Sequence, residues 1–233
     1  MVLLLLPLAI AAGDLPGLES KARESGPTAG AVPEGPTEAT LEEEFRRGRE
    51  ALRASPEFKG AGAETHFRLG EELHHRGDLS GAVEEYHAAI RLKPDFAEAY
   101  RGLGVVLMDR HDWAAAAEAL RATIRLRGNE AETCYWLGRA LMARGDWAGA
   151  TAALHTATQL KPDDAEAYAD LGLVHMVQGD PTGAIKALRL AVELKPDNAD
   201  THHLLEIVVA SQDDPKQVAR AARRILDTQF ARE

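Results

Sequence analysis

The stretch AETCYWLGRALMARGDWAGATAALHTATQLKPDD, residues 131–164, carries the pattern from which the rest of the chain can be read. Its Leu137-Gly138 pair and alanine-rich run recur on both sides without a gap, and its Gly145-Asp146 turn and closing Lys161-Pro162-Asp163 recur in two of the other three copies. Leu69, Leu103, Leu137 and Leu171 are each followed by glycine, and Ala82, Ala116, Ala150 and Ala184 keep the same interval of 34 residues. Four copies fill 63–96, 97–130, 131–164 and 165–198. A period of this length means stacked supersecondary units, each burying its apolar face against the next.

Residue chemistry divides each copy into two helices. In the first, a helix A from Ala63 ends at Gly77, which supplies the left-handed turn, and Asp78 caps helix B with its carboxylate. Gly145-Asp146 and Gly179-Asp180 repeat the device, whereas His111-Asp112 puts a non-glycine residue in that turn and predicts a strained junction. Pro181 stands where a helix accepts proline, at its first position. The glycines at 70, 104, 138 and 172 let helix A approach helix B, and Tyr86, Leu120, Leu154 and Leu188 fill the space between. Lys93-Pro94, Lys161-Pro162 and Lys195-Pro196 end the B helices, because proline disfavours helix for the residue before it. Gly128 takes that place in the second copy.

The Leu-Gly pairs, the alanine positions and the Lys-Pro-Asp closures together resemble the tetratricopeptide repeat. The resemblance covers 63–198 in full and 199–230 as a degenerate fifth unit ending in a C-terminal cap, with Glu206 at the small-residue site and Val218 at the alanine site. His66, Tyr100, Cys134 and Tyr168 stand where the family usually has tryptophan. The resemblance implies an all-α, right-handed α-solenoid of helix-turn-helix repeats whose A helices line a concave groove for a protein or peptide segment. By the same resemblance Phe67, Arg101, Tyr135 and Ala169 face that groove, with Glu71, Val105, Arg139 and Leu173 one turn later. Trp136 joins Tyr135 and Arg139 in a patch of the residue types that dominate binding hot spots. Met108, Met142 and Met176 also recur at this interval; they are counted with the groove, although the same periodicity suits packing between neighbouring A helices. Some family members clamp a chaperone's C-terminal carboxylate with Lys, Asn and Arg. Here the matching positions hold Phe67, Glu71, Gly102, Glu132 and Trp136, which implies no such clamp.

Outward from the repeats the composition changes. Val2–Ala12 is almost wholly apolar, with the length of a signal-peptide h-region and an Ala9-Ile10-Ala11 cleavage-like site, so residues 1–12 predict export to the periplasm or the exterior. No Lys or Arg precedes the run, which keeps a cytoplasmic location as the alternative, and this segment is the one expected route to membrane contact. Residues 13–36 are rich in Gly, Pro, Glu and Ser and read as a disordered linker. Within 37–58, Thr40 with Glu43 forms a capping box, and Leu41, Phe45 and Leu52 share one face of an expected N-terminal capping helix.

Charge and motif content narrow the function. A formal net charge of -10 argues against nucleic-acid binding, which needs Lys and Arg on phosphates. The chain contains no phosphate-cradling glycine loop, no HExxH and no G-x-S-x-G elbow, so no catalytic residue, cofactor or metal is expected. The neighbours His74-His75 and His202-His203 diverge by about 100° on a helix and do not share an ion easily. Cys134 reads as a small buried apolar group. The expected function is a non-enzymatic interaction scaffold; the alternatives are an accessory subunit of a separate enzyme and a self-associating assembly protein.

Overall fold

A computed structural model describes residues 43–48, 50–51 and 62–230. The expected signal-like segment, the linker and most of the expected capping helix, including Thr40, Leu41 and Leu52, lie outside the described residues. Of that helix, 43–48 are helical and form α1, whose outer face is held by Arg46 and Arg47 on Glu43 and by Arg46 on Glu50. Among the described residues every regular element is an α-helix. The repeats supply α2 (Ala63–His75), α3 (Leu79–Leu92), α4 (Ala97–Asp109), α5 (Trp113–Arg127), α6 (Ala131–Ala143), α7 (Trp147–Leu160), α8 (Ala165–Gln178) and α9 (Pro181–Leu194), followed by α10 (Ala199–Ala210) and α11 (Pro215–Gln229).

Each B helix starts on an aspartate. Asp78, Asp112, Asp146 and Asp180 accept from the backbone N–H three residues on, at 2.9, 3.3, 3.0 and 2.9 Å, and Asp214 caps α11 through the Lys216 and Gln217 N–H groups. Each cap satisfies a donor that the first helical turn leaves unpaired. The B helices end where expected: Lys93, Lys161 and Lys195 are extended, with φ between -138° and -133°, as the following proline demands. In the second repeat Gly128 makes the exit at φ 85° and ψ -172°, a conformation open only to glycine. His111 is the non-glycine residue with positive φ among the described residues, at 60°, so the strained junction is real.

Within a repeat, A and B helices pack backbone to side chain. A Cβ added to Gly104, Gly138 or Gly172 would sit 2.8, 2.6 or 2.6 Å from the Cγ of Leu120, Leu154 or Leu188. Those leucines are fully buried, as are Ala82, Ala116, Ala150 and Ala184. Tyr86 fills the first junction between Gly70 and Gly102, so it wedges two successive A helices as well as its own pair. The B helix of each unit then packs on the A helix of the next, which propagates the stack as a solenoid.

Two expectations need correction here. Met108, Met142 and Met176 are 6, 2 and 0% exposed, so the methionine line is packing between helices and offers no groove surface. Flexible thioethers fill the irregular space where one A helix meets its neighbours. The fifth unit starts in register, with α10 packed on α9, but α11 does not form a hairpin with α10. It lies against α8 instead. A pattern of Val218, Ala222 and Leu226, all buried, gives α11 one apolar face, and α10 lacks the glycine that would let a B helix close on it.

Candidate functional site

The A helices α2, α4 and α6 frame an open cleft of about 500 Å³. Glu71, His74 and His75 come from α2, Arg101, Gly102 and Val105 from α4, Glu132 and Trp136 from α6, and the Tyr86 ring closes its base. The helices place these residues here because positions four apart share one face, and the 34-residue period aligns that face from unit to unit. Three of the cleft's polar side chains are already engaged. Arg101 Nη1 donates to Glu132 at 3.1 Å, and His74 Nε2 lies 2.6 Å from the Asp109 carboxylate. Glu71 is exposed beside them.

A second cluster lies one repeat further along. The Arg139 guanidinium stands over Tyr135 at 5.9 Å, over Trp136 at 5.8 Å and over Phe230 at 6.0 Å, a cation held among three aromatic faces. Tyr135 and Trp136 are themselves 5.3 Å apart, and Phe230 meets Trp113 edge-on at 5.5 Å. Beneath this, Arg139 Nε faces Asp170 Oδ2 at 3.7 Å, too long for a hydrogen bond, and both atoms are buried without a hydrogen-bond partner among the described residues. Burial pushes the Asp170 carboxyl up to about 6, against the opposing pull of Arg139 and of the Tyr135 hydroxyl.

Of the residues read from sequence as groove-facing, Glu71, Arg101 and Trp136 line the cleft, while Tyr135 and Arg139 form the aromatic cluster beside it. Phe67 is half-buried and packs on Tyr86 at 5.9 Å and Phe96 at 5.1 Å, at the first junction and apart from the cleft lining. Cys134 is buried, and burial raises its thiol above the ordinary range, so it stays protonated and inert. Sequence reasoning missed Phe230 and Asp170. The first was legible as the end of a four-residue apolar spacing from Val218; the second stands one period after Trp136 and had no such signal.

The geometry is that of a helical repeat array, and the comparisons agree. A tetratricopeptide repeat family model matches residues 135–199, and a second TPR repeat model matches 70–110. Both stretches of the chain are tetratricopeptide repeat sequence. No curated protein matches it. Among solved structures, a crystal structure of MamA is 25% identical, covering 69% of this chain and 94% of that one at a TM-score of 0.61. MamA from residue 41 to its end, from Desulfovibrio magneticus RS-1, is 22% identical over 73% of this chain and 97% of that one, with a TM-score of 0.62. YrrB, described as a TPR protein with an unusual peptide-binding site, is 19% identical, covering 80% of this chain and 92% of that one at 0.61. These likenesses establish the solenoid fold. Tetratricopeptide arrays are protein-protein interaction scaffolds, generally without catalysis of their own.

Proposed function

We propose that this tetratricopeptide repeat protein holds a segment of a partner protein in the cleft across α2, α4 and α6. The observation that carries the reading is the pairing of apolar surface with unneutralised carboxylate: Trp136 and Val105 offer an apolar seat, and Glu71 stands exposed beside them. Arg101 is satisfied by Glu132, so an acidic ligand group would have to break an existing pair. The favoured ligand therefore has an apolar anchor and a basic group. Affinity purification with mass spectrometry, comparing wild type with Glu71→Lys and Trp136→Ala combined, tests it. Loss of one partner with helicity unchanged by circular dichroism supports the cleft; retention of every partner removes it from consideration.

The apolar run Val2–Ala12 supports export of the scaffold, with residues 13–36 as a tether. N-terminal sequencing of the protein purified from its source cells tests this. A mature chain starting near Gly13 agrees with export, and an intact Met1 in a cytoplasmic fraction refutes it.

A further inference from the structure

The C-terminal helix α11 leaves its own hairpin and occupies the array's inner face. Its start touches the turn of the fourth repeat, where a Cβ added to Gly179 would lie 3.7 Å from Pro215, and its end reaches the second repeat through Phe230 on Trp113. A helix of 15 residues spans about 22 Å, enough to cross the intervening repeat. Val218, Ala222, Leu226 and Phe230 follow one another at four-residue intervals, the first three buried.

The groove changes character where α11 sits. Glu71, Val105 and Arg139 are at least partly exposed, yet their counterpart Leu173 is 2% exposed; His75, Asp109 and Ala143 likewise give way to the buried Val177. Polar surface in the first repeat thus becomes an apolar seat in the fourth. The outer face of α11 carries exposed Lys216, Arg220, Arg223 and Arg224 against one Asp227, in a chain of net charge -10. A helix so polar outside its one stripe remains soluble when released, and the exposed turn 212–214 is its link to α10. The fit is also incomplete, because Arg139 Nε and Asp170 Oδ2, an ion pair 3.7 Å apart in the aromatic cluster that receives Phe230, have no hydrogen-bond partner among the described residues.

We propose that the groove over repeats two to four is a helix-binding site, that α11 is its occupant in cis, and that a partner's basic amphipathic helix enters by displacing it. The partner carries apolar residues at every fourth position and an aromatic at the end, as α11 does. Helix-in-groove recognition reads anchors at this spacing. Closure by α11 lowers the apparent affinity for any competitor in proportion to the closed population. The site adjoins the cleft over α2, α4 and α6 at Trp136, which Arg139 links to Phe230, and its test alters no residue that lines that cleft.

The experiment uses the full chain and a labelled synthetic peptide of residues 212–233. Leu226→Asp and Phe230→Ala each weaken α11 in cis, so both should bind the peptide at least tenfold tighter than wild type does. Adding Trp113→Ala to either variant should weaken that binding at least fivefold. Equal affinity in all three proteins, or no binding in any, with helicity intact by circular dichroism, overturns the proposal and makes α11 a permanent cap. If Leu226→Asp unfolds, Phe230→Ala, altered only at the helix end, decides alone. A wild-type dimer by light scattering that Phe230→Ala abolishes also overturns it, since the groove then belongs to a second copy of the chain.

Discussion

Leu154 and Gly138 show how a single missing methyl sets the distance between two helices. A Cβ at residue 138 would stand 2.6 Å from the Leu154 Cγ, the branch point of a fully buried side chain that has no room to retreat. Alanine improves helix propensity by about 1 kcal/mol, while overpacking a filled core costs about 1–3 kcal/mol. With the Leu154 branch point this close the clash wins, so Gly138→Ala should lower the urea-unfolding free energy by up to about 2 kcal/mol; equal or higher stability would show that the junction yields. Asp170 gives the opposite case, a residue whose replacement should stabilise. Its carboxyl is raised to about 6 in the folded protein, so the folded state holds the proton more tightly than the unfolded chain does. The penalty for ionising it is absent below pH about 4, grows as pH rises, and is complete above pH about 6. Asp170→Asn should therefore add about 3 kcal/mol at pH 8 and little near pH 4, by the conversion of about 1.4 kcal/mol for each pKa unit. A constant difference across that range would assign the effect to packing.

At the scale of elements, local chemistry decides most of the boundaries. Aspartate caps, glycine turns and proline exits each act within a few residues, which is why the starts of the B helices α3, α7 and α9 and their Lys-Pro exits were legible from residues alone. His111 is the exception that tests the rule. It holds a left-handed conformation at φ 60° where the other repeats use glycine, and it recovers part of the cost by stacking on Trp113 at 5.0 Å. His111→Gly should raise stability by about 1 kcal/mol, measured as an upward shift in the urea midpoint, because the left-handed region costs a side-chain-bearing residue about 1–2 kcal/mol. A drop in midpoint would mean that the ring stack outweighs the strain. The methionines and α11 were not legible for a different reason. A repeat forces every side chain into register, so periodicity could not tell the Met108, Met142 and Met176 packing line from a groove line. The stripe of α11 likewise fits any neighbour with an apolar face, and only the three-dimensional course of the chain selects α8 over α10.

A solenoid of nearest-neighbour contacts should open from its ends, because each unit is held only by the units beside it. Here α11 breaks that one-dimensional rule. It ties the fourth repeat, through α8, to the second, through Phe230 and Trp113, so a terminal helix supports units in the middle of the array. Weakening it should therefore act at a distance along one direction only. Leu226 is 5% exposed, and truncating a buried leucine to alanine costs about 2–5 kcal/mol where the site cannot collapse. In Leu226→Ala, amide hydrogen exchange should accelerate across α8 and α11 and, more weakly, at the Trp113 end of α5. The amides of α2 and α3 should keep their wild-type rates, since the packing of α11 is on α8, with Phe230 reaching Trp113 and Arg139 in the second and third repeats. Faster exchange throughout all four repeats would instead mean that the array unfolds as one cooperative unit. Acceleration confined to α11 would mean that the helix rests on the inner face without supporting it.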